Sequence, residues 1–342
     1  MNTLRTEVPA QARIAAVVPA YKVSRHVVDV VLSLLDYCDH IFVVDDCCPE
    51  GSGKLVQENV PDPRVTVLFN SENAGVGGAV MGGYSAAVAA GMDVIVKVDG
   101  DGQMDASLIP DFVFPIVAGQ ADYTKGNRFF DLRNIGSMPG IRIFGNAMLS
   151  FMAKLSTGYW DLFDPTNGYT AIHADVARRL PFERISKRYF FETDLLFRLN
   201  TLRAAVVDIP MDAKYGDEVS NLHIRQILGE FLFKHARNFF KRIFYNYFLR
   251  DVSLASAELV VSVVLLLFAI LFGGTHWVSS AADGRSTPVG TIMIAAVSLI
   301  WGLQLLLAFI GYDIASVPRR AIHRRGMNGS RSGALPDTHI VS

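Results

Sequence analysis

Two long apolar segments near the C-terminus constrain this chain more than any other feature. Residues 254–274 read LASAELVVSVVLLLFAILFGG, and residues 288–312 read PVGTIMIAAVSLIWGLQLLLAFIGY. Each reaches the roughly 20 apolar residues that a helix needs to cross a bilayer. A buried helical hairpin of a soluble protein is the alternative, and the length of the segments and their near lack of charge count against it. We therefore predict two transmembrane helices.

The residues around these segments predict their orientation. Residues 226–252 mix aromatic side chains with lysines and arginines, which is typical of an amphipathic juxtamembrane helix region on an anionic membrane surface. A surface helix of the preceding domain is the alternative. The tail at 318–342 is also basic, whereas the short loop between the segments holds only Asp283 and Arg285 as charged residues. The positive-inside rule then predicts a two-pass integral protein of the inner or plasma membrane, with both termini and the basic tail in the cytosol.

The region before these segments alternates between two kinds of hydrophobic pattern. Residues 1–13 have no apolar run of the signal-peptide type, and we expect a disordered lead there. Within 14–225, short apolar runs alternate with segments of helical spacing, which predicts an α/β domain with a mostly parallel sheet flanked by helices. The runs interpreted as buried strands are 14–21, 41–46, 64–69 and 93–99.

Acidic residues follow two of these predicted strands directly. Asp45 and Asp46 end one apolar run, and Asp99 and Asp101 follow another. Ligands of parallel sheets bind at the carboxyl ends of the strands, so we expect these acids to share a site. Lys97 lies inside its strand and is interpreted as a residue of the sheet face rather than as a ligand.

The pair Asp99 and Asp101, separated only by Gly100, indicates a bound cation. Two carboxylates this close repel each other unless a positive group lies between them. A calcium loop is excluded because Met104 and Pro110 stand where that loop needs glycine and glutamate. A Mg²⁺ or Mn²⁺ ion shared with ligand phosphates remains, since such an ion takes one or two carboxylates.

Several motifs in fixed order resemble the family 2 glycosyltransferases, which have the GT-A fold. The N-terminal motifs are VVPAYK (17–22), VVDDCCPEGSG (43–53), NAGVGGAVMGGYSAAV (73–88), VKVDGDGQMD (96–105) and KGNRF (125–129). Together with DPTNGYTAI (164–172), RYFFETDLLFRL (188–199) and the two spans, the order is similar to polyprenyl-phosphate glycosyltransferases, of the dolichol-phosphate-mannose or undecaprenyl-phosphate-glucose type. The resemblance covers about residues 14–312 and implies a GT-A catalytic domain over 14–225 on the cytosolic side of the membrane.

The resemblance implies a donor site for a nucleotide-diphosphate sugar. Its residues are Pro19, Tyr21, Asp45, Asp46, Asn73, Gly75, Asp99 and Gln103. Of these, Asp99 would hold the metal together with Asp101. Other interpretations stay open for some of them: Asp45 could cap a helix, Tyr21 could be ordinary packing, and Asn73 with Gly75 could form a turn.

The resemblance also implies an acceptor side. An ionised lipid phosphate attacks without a strong base, whereas a sugar hydroxyl needs a positioned carboxylate. Asp164 is our candidate site acid, and Arg128 is our candidate ligand for a phosphate of either the donor or the acceptor. With Asp101 they form the proposed catalytic set. Glu192 and Asp194 are second choices for the acid. Asp164 and Asp194 could instead be helix caps.

One loop departs from the pattern of lipid-phosphate members. They often have an arginine-rich loop before the membrane helices, but residues 214–225 here read KYGDEVSNLHIR. Lys214 and Arg225 remain candidate phosphate contacts. The formal net charge of −1 argues against a nucleic-acid partner. The lipid bilayer and a polyprenyl-phosphate acceptor are the expected partners, and a homo-oligomer stays open.

The sequence leaves three functions open. The first is an inverting, metal-dependent transferase that moves a hexose to a polyprenyl phosphate for cell-envelope glycan or glycolipid synthesis. The second is a transferase that extends a lipid-linked sugar or polysaccharide, in which Glu192 or Asp194 would be essential. The third is a non-catalytic, membrane-anchored sensor or scaffold that binds nucleotide sugars.

Overall fold

The computed structural model describes residues 12–129, 140–212 and 224–324. The chain forms two compact units. One comprises Met1–Asn238 together with Pro318–Ser342, and the other comprises Phe239–Val317.

A mixed sheet forms the centre of the first unit. In the described part of the chain its strands are β1 (Ile14–Ala20), β2 (His40–Asp45), β3 (Val65–Phe69), β4 (Val94–Lys97), β5 (Tyr123–Asn127), β6 (Thr170–His173) and β7 (Val206–Pro210). They lie in the order β3-β2-β1-β4-β6-β5-β7. Only β6 runs antiparallel to its neighbours. The predicted α/β fold with a mostly parallel sheet is confirmed.

Helices flank this sheet and cover its apolar residues. They are α1 (Val27–Leu34), α2 (Ser52–Asn59), α3 (Val76–Ala89), α4 (Ile109–Val117), α5 (Gly140–Thr157), α6 (Ala174–Ala177) and α7 (Phe191–Leu202). Strand β1 is apolar along its whole length, and β2 and β4 are apolar at most positions, because both faces of parallel strands are buried. Val17, Val43 and Ile95 are fully excluded from solvent. Helix α8 (Ile224–Phe244) continues across the boundary between the units.

The antiparallel direction of β6 matters for the site. The other strands end at one edge of the sheet, and β6 begins there, with Thr170 lying between Lys97 of β4 and Lys125 of β5. The loop 164–169 that precedes β6 therefore reaches the same edge as the carboxyl ends of β1 to β5.

A short segment at residues 318–324, which we name the C-terminal strap, packs in the first unit. The carboxylate of Asp122, at the start of β5, is fully buried and accepts hydrogen bonds from the backbone amides of Ile322 (2.9 Å) and His323 (3.1 Å). The Nδ1 atom of His323 lies 2.7 Å from the same carboxylate, and its ring stacks on His173 at 4.1 Å. Burial alone would raise the pKa of Asp122, but the hydrogen bonds from His323 and Ile322 hold it below its ordinary value.

The second unit is dominated by two helices, α9 (Leu254–Ala282) and α10 (Val289–Ala315). Both are long and apolar enough to cross a membrane, and they contain the two predicted spans. Most of their large apolar side chains are exposed. Gly302 lets the helices approach closely, since a Cβ atom there would lie 2.9 Å from Leu266. At the base of the pair, Arg242 binds Asp313 through two hydrogen bonds of 2.6 and 3.0 Å.

Candidate active site

The predicted donor residues at the end of β1 lie beside the DGD turn. Pro19 is the sixth residue of β1, and Tyr21 follows the strand with its ring largely exposed. A Cβ atom on Gly100 would lie 3.4 Å from the carbonyl oxygen of Pro19, so the turn after β4 passes close to the end of β1. An exposed aromatic ring at a strand end is available for stacking on a flat ligand.

Asp45 holds the loop that follows β2. Its Oδ1 atom accepts a hydrogen bond from the amide of Cys48, and its Oδ2 atom accepts one from the amide of Gly53, both at 2.7 Å. Gly53 lies in the first turn of α2, where amide groups lack helical partners. The geometry therefore agrees with the interpretation of Asp45 as a capping residue, and its carboxylate already has two protein donors.

Asp46 organises the turn before α3. Its Oδ1 atom accepts a hydrogen bond from the amide of Ala74 and its Oδ2 atom one from the amide of Gly75, both at 2.8 Å. The side chain of Asn73 donates to the carbonyl oxygen of Asp46 at 3.3 Å. Gly75 has φ +79°, and a Cβ atom there would lie 2.5 Å from the carbonyl oxygen of Lys187. Asn73 and Gly75 thus form a turn that Asp46 fixes next to the end of β2.

Lys97 supplies the positive group that the aspartate pair requires. Its side chain lies on the sheet face as predicted, is almost fully buried, and places Nζ 2.8 Å from Oδ1 of Asp99 and 3.7 Å from Oε1 of Glu192. Burial alone would lower the pKa of Lys97, but the Asp99 and Glu192 carboxylates raise it above its ordinary value. A charged residue inside an apolar strand needs such a partner. The lysine within β4 is therefore the sequence feature that could have indicated a buried acid nearby.

The turn after Asp99 suits a divalent cation. Gly102 has φ +78°, and the amide of Gln103 donates to Oδ1 of Asp101 at 3.0 Å. No group of three or more His, Cys, Asp or Glu that could hold a metal occurs among the described residues. The chain would therefore offer the two carboxylates of Asp99 and Asp101, and ligand phosphates would complete the shell. Hard oxygen donors in this number fit Mg²⁺ or Mn²⁺.

Arg128 and Asp164 form an ion pair on the other side of the site. Nε of Arg128 lies 2.8 Å from Oδ2 of Asp164, and Nη2 lies 3.2 Å from Oδ1. Asp164 is 1% exposed and Arg128 is 35% exposed, so the arginine covers the acid and faces outwards. Thr166 also donates to Oδ1 of Asp164 at 3.3 Å. Both carboxylate oxygens are therefore engaged with protein donors.

Buried groups behind this pair were missed by the sequence analysis. Lys125 of β5 is fully buried and donates through Nζ to the carbonyl oxygen of Asn167. Burial lowers the pKa of Lys125 to about 8, although the charges of Glu192 and Asp164 act in the opposite direction. Burial raises the pKa of Asp208 to about 6. Lys125 and Asp208 are thus buried titratable groups near the Arg128–Asp164 pair.

The two acids of the FETD segment differ in their surroundings. Asp194 is fully buried and accepts hydrogen bonds from the amide of Ser186 (2.8 Å) and from Asn238 (3.0 Å). It lies in the first turn of α7 and links that helix to α8. Glu192 faces Lys97 and lies much closer to the DGD turn.

Two acceptor-side candidates lie outside what the structure describes. Lys214 belongs to residues 213–223, which are not described, and Arg225 lies in α8 with its side chain outside the description. Most of the other predicted residues gather along one sheet edge, because they end or follow β1 to β5 or precede β6. Glu192 and Asp194 lie instead in α7, and Glu192 reaches this edge through its ion pair with Lys97.

This architecture is that of a GT-A-type glycosyltransferase domain. Glucosyl-3-phosphoglycerate synthase from Mycobacterium tuberculosis, solved in complex with Mn²⁺, uridine diphosphate and phosphoglyceric acid, has the same fold with a TM-score of 0.51. The sequences are 17% identical, and the likeness covers 68% of this chain and 79% of that one.

Sequence comparison gives the family. Residues 15–180 match the family described as Glycosyl transferase family 2. An undecaprenyl-phosphate mannosyltransferase of Micrococcus luteus is 31% identical over 173 residues, covering 50% of this chain and 70% of the relative. A UDP-N-acetylglucosamine–dolichyl-phosphate N-acetylglucosaminyltransferase of Methanococcus voltae is 26% identical, over 60% of this chain and 87% of its own length. The chain belongs to glycosyltransferase family 2.

Proposed function

We propose that this protein transfers a sugar from a nucleotide-diphosphate sugar to a polyprenyl phosphate at the cytosolic membrane face, with inversion at the anomeric carbon. The observation that supports it most is the position of the Arg128–Asp164 pair, which shares one sheet edge with Asp99 and Asp101. A divalent cation held by Asp99 and Asp101 would bind the donor diphosphate, and the guanidinium of Arg128 suits an acceptor phosphate. The names of the relatives point to the same chemistry.

The donor side accounts for the leaving group. A divalent cation bound by Asp99 and Asp101 would stabilise the charge that develops on the departing nucleoside diphosphate. Tyr21 offers an exposed ring at the end of β1, and the turn of Asn73 and Gly75 forms a wall beside it. These residues hold and orient the donor, while the fully bonded Asp45 and Asp46 keep the loops in place.

The acceptor side favours a phosphate over a hydroxyl. A phosphate monoester is already ionised near neutral pH, with a second pKa of about 6, and can attack without losing a proton to the protein. Both carboxylate oxygens of Asp164 accept hydrogen bonds from Arg128 or Thr166. This bonding fits a role in orienting the arginine better than it fits a role as a general base. We therefore assign Asp164 to positioning and Arg128 to the acceptor phosphate.

The glycan-extending alternative is less well supported. It needs a carboxylate at the acceptor with room to take a proton. Asp194 is fully buried and bonded to Ser186 and Asn238, and Glu192 faces the ammonium group of Lys97. A non-catalytic sensor would bind nucleotide sugars without turnover.

A donor screen tests the proposal directly. Purified protein in detergent is incubated with Mn²⁺, polyprenyl phosphate and each of several nucleotide sugars, and the lipid is analysed by mass spectrometry. We expect metal-dependent formation of one glycosyl phospholipid, and its loss in Asp101→Asn. In a parallel reaction with a lipid-linked sugar in place of polyprenyl phosphate, transfer there and not to the phosphate would favour the second function. Binding with no product from any donor would favour the third.

A further inference from the structure

Lys97 joins three separate segments of the site. Its ammonium group lies 2.8 Å from the Asp99 carboxylate and 3.7 Å from that of Glu192. A Cβ atom on Gly168 would lie only 2.5 Å from Nζ of Lys97, so the loop before β6 rests directly on the ion pair. The DGD turn, the FETD helix and the DPTNGY loop thus meet at a single buried cation.

Two carboxylates lie within ion-pair distance of this cation. Nζ of Lys97 contacts Asp99 and Glu192, and the charge of Lys125 also acts on Glu192. Taking a carboxylate out of water is costly unless an opposite charge accompanies it. Lys97 supplies that charge to Asp99, and a divalent cation would add to it.

We propose that Lys97 is an internal counter-ion of the metal-binding acids, which positions Asp99 and neutralises it while no divalent cation is bound. Lys97 pairs with Oδ1 of Asp99, and in this scheme a metal would bind the second carboxylate oxygen, which lies beside the Gly168 loop. The same charge opposes the incoming metal, so Lys97 lowers the affinity of the site for the free ion. Lys97 is a positioning residue in this scheme. The inference rests on the proposed function only in that Asp99 and Asp101 bind a divalent cation.

The substitution Lys97→Met tests this role. It removes the charge and keeps a side chain of similar length, so that Asp99 loses its ion pair and a bound cation would replace the missing charge. We expect the melting temperature of the full chain in detergent to fall by several degrees in EDTA, and Mn²⁺ to raise it more than in the wild type. The Kd for free Mn²⁺, measured by electron paramagnetic resonance, should fall about tenfold. An Mn²⁺-induced shift and a Kd equal to those of the wild type would overturn the proposal.

Lys125→Met is the matched control. Lys125 is also a fully buried lysine, and it pairs with Thr170 from the other side as Lys97 does. Its ammonium group donates to the carbonyl oxygen of Asn167 rather than to Asp99. We expect a lower melting temperature in EDTA and an Mn²⁺-induced shift close to that of the wild type. An equally enlarged shift in Lys125→Met would show that any buried lysine has this effect, and would contradict a specific role for Lys97.

A double variant keeps the test decisive if Lys97→Met does not fold. Lys97→Met with Asp99→Asn replaces the ion pair by two neutral side chains of similar size. We expect it to be more stable than Lys97→Met alone, and to gain little stability from Mn²⁺. A double variant no more stable than the single one would show that Lys97 does not act through Asp99. The donor screen on the wild type tests the proposed function separately, because sugar transfer does not depend on the outcome of these binding measurements.

Discussion

At the scale of the residue, Gly168 shows how tightly the loop before β6 lies on the site. A Cβ atom there would come within 2.5 Å of Nζ of Lys97 and 2.6 Å of Oδ2 of Asp99. We predict that Gly168→Ala displaces the ion pair, lowers the free energy of unfolding by about 1–3 kcal/mol, and weakens Mn²⁺-dependent donor binding. Thermal denaturation and calorimetric titration of a nucleoside diphosphate with Mn²⁺ would measure the two effects.

Gly82→Ala provides a control for this substitution. Gly82 lies within α3, and a Cβ atom there would meet no heavy atom within 4 Å. Alanine is favoured over glycine inside a helix by about 0.5–1 kcal/mol, so this variant should be as stable as the wild type or slightly more stable. If Gly168→Ala behaved in the same way as Gly82→Ala, the close packing of the loop on Lys97 would be wrong.

The ion pair between Arg128 and Asp164 is expected to position the arginine for the acceptor phosphate. Asp164→Asn keeps the size of the side chain but removes the charge that fixes the guanidinium group of Arg128. We expect the KM for polyprenyl phosphate to rise about tenfold, with donor affinity unchanged. Initial rates over a range of acceptor concentrations, with donor binding measured by calorimetry, would separate the two. A fall in kcat with an unchanged KM would point to a general base instead.

The sequence alone does not separate ligand-binding acids from structural acids at the candidate site. Asp99 and Asp101 stay a prediction of the metal site, made because two acids follow an apolar strand with one glycine between them. Asp45 and Asp46 occupy equivalent positions after β2, yet both bond to backbone amides of the next turn. A single sequence does not distinguish a carboxylate facing a ligand from one holding its own loop, since both need the same residue at the same strand end.

Among the strands, the antiparallel direction of β6 could not be predicted from the sequence. The apolar runs predicted β1 to β4 to within two residues, since each is buried on both faces. Residues 170–173 form a short buried strand with no alternation of its own, and only the pairing of Thr170 with Lys97 and Lys125 shows that it is antiparallel. That direction places the loop 164–169 in the site.

The C-terminal strap is anchored to the sheet through His323. His323 contacts the buried Asp122 through Nδ1 and stacks on His173, so that the strap holds the start of β5. We predict that His323→Ala lowers the free energy of unfolding by about 1–2 kcal/mol, because a hydrogen bond to a buried charge is lost. Thermal denaturation in detergent would measure it. Arg320→Ala, an exposed position of the same strap, should have no effect, and equal losses in both variants would contradict a specific anchor at His323.

The return of the C-terminal strap to the first unit constrains the membrane topology of the chain. The chain leaves the first unit in α8, forms α9 and α10, and returns to the first unit at residue 318. Helices of 29 and 27 residues are about 43 and 40 Å long, which exceeds the roughly 30 Å hydrocarbon core of a bilayer. If both helices cross, the strap and the sheet lie on one side and the loop after α9 on the other.

Cysteine labelling in intact cells tests this arrangement. In a chain with its three cysteines replaced by serine, we introduce Gly284→Cys in the loop after α9 or Arg320→Cys in the strap. We expect a membrane-impermeant maleimide to label Gly284→Cys in intact cells and Arg320→Cys only after permeabilisation, because the strap would face the cytosol with the catalytic unit. A third variant that keeps the native, exposed Cys47 should behave as Arg320→Cys does. Labelling of both introduced cysteines from the same side would show that the helices do not form a transmembrane hairpin.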